Sequence, residues 1–550
     1  MSFNAMKEYE YSTLRDFILD KSNTYASRTA IQYHRSKKEI VSVTYGELKK
    51  DIESLGTYLI NKGYDGRRHI AIVSENSYDW IRLFFAIAFS GNVCVPISKD
   101  LGPEIIAENL KNVDCSVVFY SKKTEKLIRS IIQADESVIT EAYPMADLDS
   151  FIKEGTTLIR NGNISFASKK VLPDDVAAIF FTSGTTGSQK GVMLTQNNFA
   201  YNLQTTAERL HIAVQRHMLL LVLPLTHTLS FHSLCDIFHF GSTLFVCKGI
   251  KYLFSDMESS HPDITCMVPL FMETVHKEVM NELSAKGMVG AYNFLCAFSN
   301  MLLKVGIDLR PVLFKKIRGK MGGNLKTIIS GGAAIDQSII EEFHTWGIDV
   351  AFGYGLTECA PSISFCEYVE SRAGSVGRVL NGLEVNIDNP DDKGIGEVCV
   401  KGPVVMKGYY KRPDDTAEAL RNGVFHTGDL GYLDKDGFLF LTGRSKNLII
   451  LSNGENVSPE MLENRLGRHG VVKEVVAYQD ENVIVAEIFP DTRYVKQNGI
   501  DNVKRYCEEC VDQANKGLPA YARISKVVIR DTEFQKNASG KIVRSTIGEM

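Results

Sequence analysis

Residues 69–97 run in a fixed order: an apolar stretch (His69-Ile70-Ala71-Ile72-Val73), a polar stretch ending at Ser77, a helix-length apolar stretch over 80–89, and a second apolar run, Val93-Cys94-Val95-Pro96. Strand, cap, helix and strand in that order make a β-α-β unit, the crossover that a parallel pair of strands requires. Similar alternation recurs over about the first 400 residues, which predicts parallel-rich sheets covered by helices. The texture changes after Gly443. Short strands over 475–478 and 483–488 flank the turn-like Asp480-Glu481-Asn482, and a charged helix begins at about Val503. At 550 residues the chain is too long for one ordinary core. The predicted fold class is therefore multi-domain α/β, with a large N-terminal domain over 1–443 and a small α+β domain over 447–550.

A net charge of −4 gives no global basic excess that would draw nucleic acid or an anionic membrane. The first residues lack the apolar core of a signal peptide, and the longest greasy stretch, over 218–225, is short and broken by Pro224. A cytoplasmic protein without a transmembrane segment is expected. The cysteines number eleven and are scattered; Cys94, Cys115 and Cys247 sit in apolar runs, which favours reduced core thiols over a disulfide framework. Cys507 and Cys510 have metal-like spacing but no second pair nearby, and read as helix neighbours. His227, His232 and His239 have no thiolate pair or His-Glu motif beside them, so zinc is not expected there.

The run Val176-Ala177-Ala178-Ile179-Phe180-Phe181 reads as a buried strand, and Thr195-Gln196-Asn197 as the cap of a following helix. Between them lies Thr182-Ser183-Gly184-Thr185-Thr186-Gly187-Ser188-Gln189-Lys190-Gly191. Gly184, Gly187 and Gly191 let backbone amides approach an anion, while the hydroxyls of Thr182, Ser183, Thr185 and Thr186 and the Lys190 ammonium add donors. A triphosphate fits that donor set. The Walker spacing Gly-x-x-x-x-Gly-Lys-Ser/Thr is absent here, because Lys190 comes three residues after Gly187 and is followed by Gly191. Gly353-Tyr354-Gly355-Leu356-Thr357-Glu358 starts like a dinucleotide fingerprint but has Glu358 where the third glycine belongs, so a Rossmann cofactor is not supported.

Thr-Ser-Gly-Thr-Thr-Gly-x-x-Lys-Gly closely resembles the phosphate loop of the adenylate-forming (ANL) superfamily of AMP-binding enzymes. The resemblance continues, in the family's order, through Ser330-Gly331-Gly332-Ala333-Ala334, Tyr354-Gly355-Leu356-Thr357-Glu358, His426-Thr427-Gly428-Asp429, Gly443-Arg444 and Ser539-Gly540-Lys541-Ile542-Val543-Arg544. It implies a two-step ligase in which a carboxylate attacks the α-phosphate of ATP, pyrophosphate leaves, and a thiol then takes the acyl group from the adenylate. In the first step two anions must meet. At about 4 Å like charges repel by roughly 1 kcal/mol in water and roughly 4 kcal/mol at an effective dielectric of 20, so fixed cations and a metal are needed.

Carried over motif by motif, the resemblance makes Glu358 the Mg²⁺ ligand, a role that suits one carboxylate alongside phosphate oxygens and water. Thr357 would donate to the α-phosphate, Tyr354 would stack on adenine, and Gly332, Ala333 and Ala334 would line the purine edge. Asp429 would accept the ribose hydroxyls with Arg444 in support. Residues 444–446 would form a hinge with Lys446 at its pivot, and Lys541 would contact the carboxylate and α-phosphate as charge moves. Removing a preorganised donor of that kind costs ~10²–10³ in rate. Coenzyme A or a carrier-protein pantetheine would supply the sulfur; Cys359, beside Glu358, reads as a small packing residue.

Pro224-Leu225-Thr226-His227-Thr228-Leu229-Ser230 resembles the family's acid-site segment, with His227 at the gate. Amino-acid-activating relatives carry an aspartate at the position of Thr228, so an α-amino group would be buried here without a counter-ion, which disfavours amino-acid activation. Residues 314–318 and 447–460 most resemble bacterial medium- and long-chain fatty acyl-CoA synthetases. Met267, Val268 and Leu270 could line an acyl tunnel, or belong to ordinary core, and Thr228, Leu229 and Ser230 are expected in the acid pocket beside Met267 and Val268. The expected activity is a fatty acid-CoA ligase. The alternatives are an acyl-AMP ligase that loads an acyl-carrier protein and a non-catalytic nucleotide- or acyl-binding module. The basic cluster over 310–326 reads as either a contact for acceptor phosphates or a solvated helix face.

Overall fold

The computed structural model describes residues 8–36, 39–135, 137–182, 189–210, 217–333, 335–451, 456–481, 483–536 and 542–544. They divide into two compact units, one drawn from 1–184, 188–384 and 400–425 and the other from 385–399 and 426–550.

The expected β-α-β unit is present in the first. Strands His69–Val73 and Val93–Ile97 pair in parallel, and helix Tyr78–Phe89 connects them. Its start is fixed by Ser77, whose hydroxyl accepts from the Trp80 amide at 3.1 Å. Every residue of this helix except Asp79 is buried, including Arg82, whose charge is paired with Asp51, Asp79 and Asp149. The two strands belong to a seven-stranded sheet ordered Gly408–Tyr409, Lys190–Thr195, Val176–Thr182, Val93–Ile97, His69–Val73, Val117–Tyr120 and Glu141–Pro144. Its last five strands run parallel, and the first two are added antiparallel.

A nine-stranded sheet is ordered Arg378–Val379, Ser362–Cys366, Asp349–Gly355, Thr327–Gly331, Ile264–Met267, Met218–Leu221, Thr243–Val246, Thr29–His34 and Ile40–Thr44. The six strands from Asp349–Gly355 to Thr29–His34 are parallel, and antiparallel strands close both ends. Helix Thr228–Phe240 packs on this sheet and helix Tyr78–Phe89 on the other. The two helices meet through Phe231, whose ring centroid is 4.3 Å from Phe84, 5.2 Å from Phe199 and 6.0 Å from Phe180. Truncating a fully buried Phe of this kind to Ala costs about 3–5 kcal/mol, so the aromatic layer sets the spacing between sheets.

In the second unit, strands Val472–Asp480 and Val483–Pro490 form the expected hairpin, with Ile524–Ile529 added in parallel. Helices Pro459–Gly467 and Val503–Ala514 pack on this sheet, and Cys507 and Cys510 point into their shared core with Leu462, Leu466 and Ile488. Among the described residues the cysteines form no disulfides, and no helix is long and apolar enough to cross a membrane.

Candidate functional site

In open α/β sheets ligands bind outside the carboxyl ends of the parallel strands. In the nine-stranded sheet Met267 lies beside Ser330, Ser330 beside Phe352, and Gly331 beside Gly353. Val268, Gly332 with Ala333, and Thr357 with Glu358 therefore leave the sheet from one edge. The segment that follows Met218–Leu221 and carries His227 leaves from the same edge. At the end of Thr327–Gly331, Gly332 has φ +81° and open space where a Cβ would stand, so the chain turns there without obstruction. Tyr354 is buried in Asp349–Gly355. Gly355 next to it admits no side chain, since a Cβ would stand 1.8 Å from the Pro361 carbonyl oxygen.

Thr357, Glu358 and Cys359 make one 3-10 turn. Helix Gln196–Ala207, capped by Thr195 as its sequence predicts, holds that turn through two asparagines. Asn202 Nδ2 donates to the carbonyls of Cys359 (3.1 Å) and Ser362 (2.8 Å). Asn198 Nδ2 donates to those of Pro403 (2.7 Å) and Val405 (2.9 Å), and the Met406 amide then donates to the Glu358 carbonyl at 2.8 Å. The Glu358 side chain is buried, and its Oε1 accepts the Tyr409 hydroxyl at 2.9 Å. Burial, and then the Glu358 charge, push the Tyr409 phenol well above its ordinary range.

The face of the same Tyr409 ring carries the Lys190 ammonium 5.0 Å from its centroid, and Lys190 also forms an ion pair with Asp415. The Lys190 hydrogen bond holds the Asp415 carboxyl below its usual range. Tyr409 thus joins two residues taken from separate motifs. Neither Tyr409 nor Asp415 was singled out in the sequence; the signal available was Gly408-Tyr409-Tyr410, a short aromatic strand that pairs with Lys190–Thr195.

Two details of the phosphate loop differ from expectation. Lys190 is not in a loop: it opens the strand Lys190–Thr195, directly across from Thr182 on Val176–Thr182. Val192 and Leu194 are fully buried in this strand, a pattern hidden by the neighbouring glycines and hydroxyls. Gly191 is a packing residue, because a Cβ would lie 2.8 Å from Ile179 Cγ2 and 3.1 Å from Val113 Cγ1. Ser183, Gly184, Thr185, Thr186, Gly187, Ala334 and Lys541 lie outside the described residues.

On the acid-site segment, His227 is the N-cap residue of Thr228–Phe240, and its carbonyl accepts from the Phe231 amide at 3.0 Å. Thr228 is buried and Leu229 half-buried, while the Ser230 hydroxyl donates to the Leu223 carbonyl at 2.6 Å. Met267 is buried and Val268 half-buried, but Leu270 is exposed on helix Pro269–Ala285 and belongs neither to a tunnel wall nor to the core. One turn into the helix, His232 Nε2 stands 3.5 Å from Asp236 Oδ1. Burial lowers the His232 pKa to about 3 and raises that of Asp236 to about 8, so both are neutral near pH 7. A cavity of about 550 Å³, lined among others by Phe254, Val275, Val279, Ile317 and Met321, includes none of the expected site residues.

Within the second unit, Asp429 and Arg444 face each other across the hairpin Val424–Leu433 and Leu439–Arg444, with Arg444 Nε 2.7 Å from Asp429 Oδ1. The strand segment before Asp429 is held by Glu397, which the sequence reading missed. Its Oε1 accepts from the Gly428 amide and its Oε2 from His426 Nδ1, both at 2.9 Å. Thr427 Oγ1 donates to the Val398 carbonyl at 2.7 Å and accepts from the Asp429 amide at 3.0 Å. Lys446 is exposed in the turn Ser445–Asn447.

Residues 19–410 match the AMP-binding enzyme family, and residues 446–550 match the AMP-binding enzyme C-terminal domain. The chain belongs to the AMP-binding enzyme family. It is 28% identical over 466 residues to the long-chain-fatty-acid–CoA ligase FadD15 of Mycobacterium bovis, covering 81% of this chain and 76% of that protein. It is 27% identical over 498 residues to long chain acyl-CoA synthetase 2 of Arabidopsis thaliana, covering 82% and 74%. This AMP-binding enzyme also shares its fold with the O-succinylbenzoate coenzyme A synthetase of Bacillus subtilis solved with ATP and magnesium ion, at TM-score 0.74 and 21% identity over 96% of this chain and 98% of that one.

Proposed function

We propose that this AMP-binding enzyme activates a medium- or long-chain fatty acid with ATP, releasing pyrophosphate, and passes the acyl group from the adenylate to coenzyme A. Family membership and the fatty-acid ligases among its relatives support this reading. The observation that carries the site is the Lys190–Tyr409–Glu358 linkage, which joins the phosphate-loop strand to the carboxyl edge of the nine-stranded sheet.

Glu358 is a buried carboxylate at that edge, a hard oxygen donor on a turn held by Asn202, and this fits Mg²⁺. When bound with ATP, magnesium neutralises phosphate charge. Lys190 donates to the phosphates, Thr357 to the α-phosphate, and Tyr354 offers its ring to adenine. Asp429 takes the ribose hydroxyls, oriented by Arg444, and Lys541 donates to the carboxylate and α-phosphate as their charges redistribute. His227, Thr228 and Leu229 meet the acid near its carboxyl end, with Met267 and Val268 along the chain. The sulfur comes from the acceptor, and the thiol of Cys359, raised far above its ordinary pKa by burial, stays protonated beside the site. Lys446 serves as the hinge pivot between the steps, in a domain division of 1–443, 444–446 and 447–550. The reaction runs in the cytoplasm.

The test is mass spectrometry of products after incubation with ATP, Mg²⁺, coenzyme A and a pool of fatty and aryl acids. Fatty acyl-CoA is the expected product. Acyl-adenylate without thioester would replace coenzyme A by an acyl-carrier protein, and ATP binding without pyrophosphate release for any acid would overturn the ligase reading.

A further inference from the structure

Helix Val289–Lys304 turns one face inward and leaves the other bare. Tyr292 anchors the inner face: its hydroxyl donates to Glu342 and accepts from Trp346 Nε1 at 2.8 Å, and Ser299 is buried on the same side. Phe294, Phe298, Met301 and Val305 follow at intervals of four, three and four, so they form one stripe on the opposite side. Phe294 is 71% exposed, Phe298 37%, Met301 57% and Val305 70%, and the two phenyl rings stack on each other at 6.4 Å. The apolar exposure continues past the helix through Ile307 and Val312. Scattered single apolar residues on a surface need no explanation, but a continuous stripe this exposed marks an interaction surface.

The charges beside it have one sign. Residues 288–326 contain seven lysines and arginines against a single acid, Asp308, in a chain whose net charge is −4. Several of these cations are engaged within the chain: Arg310 by Asp308, Lys320 by Glu282, Lys326 by Asp263, and Arg318 by the backbone carbonyls of Leu325, Trp346 and Gly347. Lys304, which ends the helix, and Lys315 and Lys316 shortly after it are exposed. An apolar ridge with lysines at its rim is complementary to a bilayer surface that presents acyl chains beneath anionic headgroups. A second copy of the chain would set one basic-rimmed face against another of the same sign.

We propose that the stripe Phe294, Phe298, Met301 and Val305, with Lys304, Lys315 and Lys316 at its rim, docks the protein reversibly on the surface of anionic lipid membranes. The surface carries this inference whatever acid the enzyme uses. Phenylalanine rings lie in the headgroup boundary, and the lysines add an attraction that salt screens within a Debye length.

The test is co-sedimentation of the full chain with vesicles of phosphatidylcholine alone and of phosphatidylcholine with phosphatidylglycerol. Retention on the anionic vesicles is expected, with much less on the neutral ones and release in 1 M salt. Lys304→Ser with Lys315→Ser should weaken partitioning roughly 25-fold. Phe294→Ser with Met301→Ser should weaken it at least about tenfold; neither pair should change the melting temperature, and this apolar pair should leave turnover with a short soluble acid unchanged. Equal binding to both vesicle types, or binding that neither pair of substitutions alters, would overturn the proposal. So would an absence of vesicle binding accompanied by concentration-dependent self-association that Phe294→Ser abolishes, which would assign the face to a second copy.

Discussion

Lys190 is held by a carboxylate, and Asp415→Asn asks what that carboxylate does to nucleotide binding. The substitution keeps the volume and a hydrogen-bond acceptor and removes only the charge. Two unit charges about 4 Å apart interact by roughly 1 kcal/mol in water and roughly 4 kcal/mol at an effective dielectric of 20. The Lys190 and Asp415 side chains retain 21% and 27% of their exposure, so solvent screening keeps the value near the lower end, about 1–2 kcal/mol. Lys190 does not become disordered when the carboxylate is lost, because the Tyr409 ring still holds the ammonium, a contact of about 0.5–1 kcal/mol. If Lys190 donates to the phosphates, Asp415 competes with them for its charge, and Asp415→Asn should tighten ATP roughly five- to thirtyfold. The assay is calorimetric ATP binding without acid, checked against the KM for ATP in pyrophosphate release, with Lys190→Met as the control that weakens both. Unchanged or weaker ATP binding in Asp415→Asn would refute the competition and make Asp415 a positioning residue instead.

Three further predictions separate packing from chemistry. Gly191→Ala should lower stability by about 1–3 kcal/mol in denaturant unfolding, through its contacts with Ile179 and Val113, and leave the KM for ATP unchanged; a raised KM at unchanged stability would return Gly191 to the phosphate site. Cys359 should resist iodoacetamide at pH 8 in the native protein and react once the chain is unfolded, as read by peptide mass spectrometry, because burial and then the Glu358 charge raise its thiol pKa. The His232 and Asp236 pair predicts a stability profile with a definite sign. Native His232 lacks a proton that the unfolded chain binds from about pH 3 to 6.5, so stability rises with pH there, while native Asp236 keeps a proton that the unfolded chain loses from about pH 4 to 8, so stability falls. The two cancel up to about pH 6.5, and the remaining decline to about pH 8 should vanish in Asp236→Asn; an unaltered decline in thermal melts would show that another group titrates.

Much of the fold was legible because it rests on local signals. Ser77 and Thr195 cap their helices through their own hydroxyls, and the stretch over 80–89, apolar but for Arg82, is buried throughout, so the β-α-β order could be read directly. The strand Lys190–Thr195 was not read because its first two residues, a lysine and a glycine, look like loop. What makes Gly191 a strand residue is the lack of room beside Ile179 and Val113, a fact about neighbours from two other parts of the chain. The same limit hid Glu397, whose two hydrogen bonds to residues 426 and 428 cross 29 and 31 residues of sequence.

The candidate site shows the sharper version of this limit. Glu358, Lys190 and Asp429 could be picked out by motif order, but a motif names a residue without naming what holds it. Tyr409 belongs to a two-residue strand and Asp415 to the first turn of a seven-residue helix, segments too short for periodicity to describe. Yet these two determine where the Lys190 charge rests and what the Glu358 oxygen is bonded to. A residue at the end of a buried parallel strand can be positioned by the sheet alone, as Gly332 is. A flexible lysine or a carboxylate on a single turn cannot, and needs partners whose sequence distance grows with the number of crossovers between them. Changes at Tyr409 or Asp415 should therefore alter nucleotide affinity while leaving every recognisable motif intact.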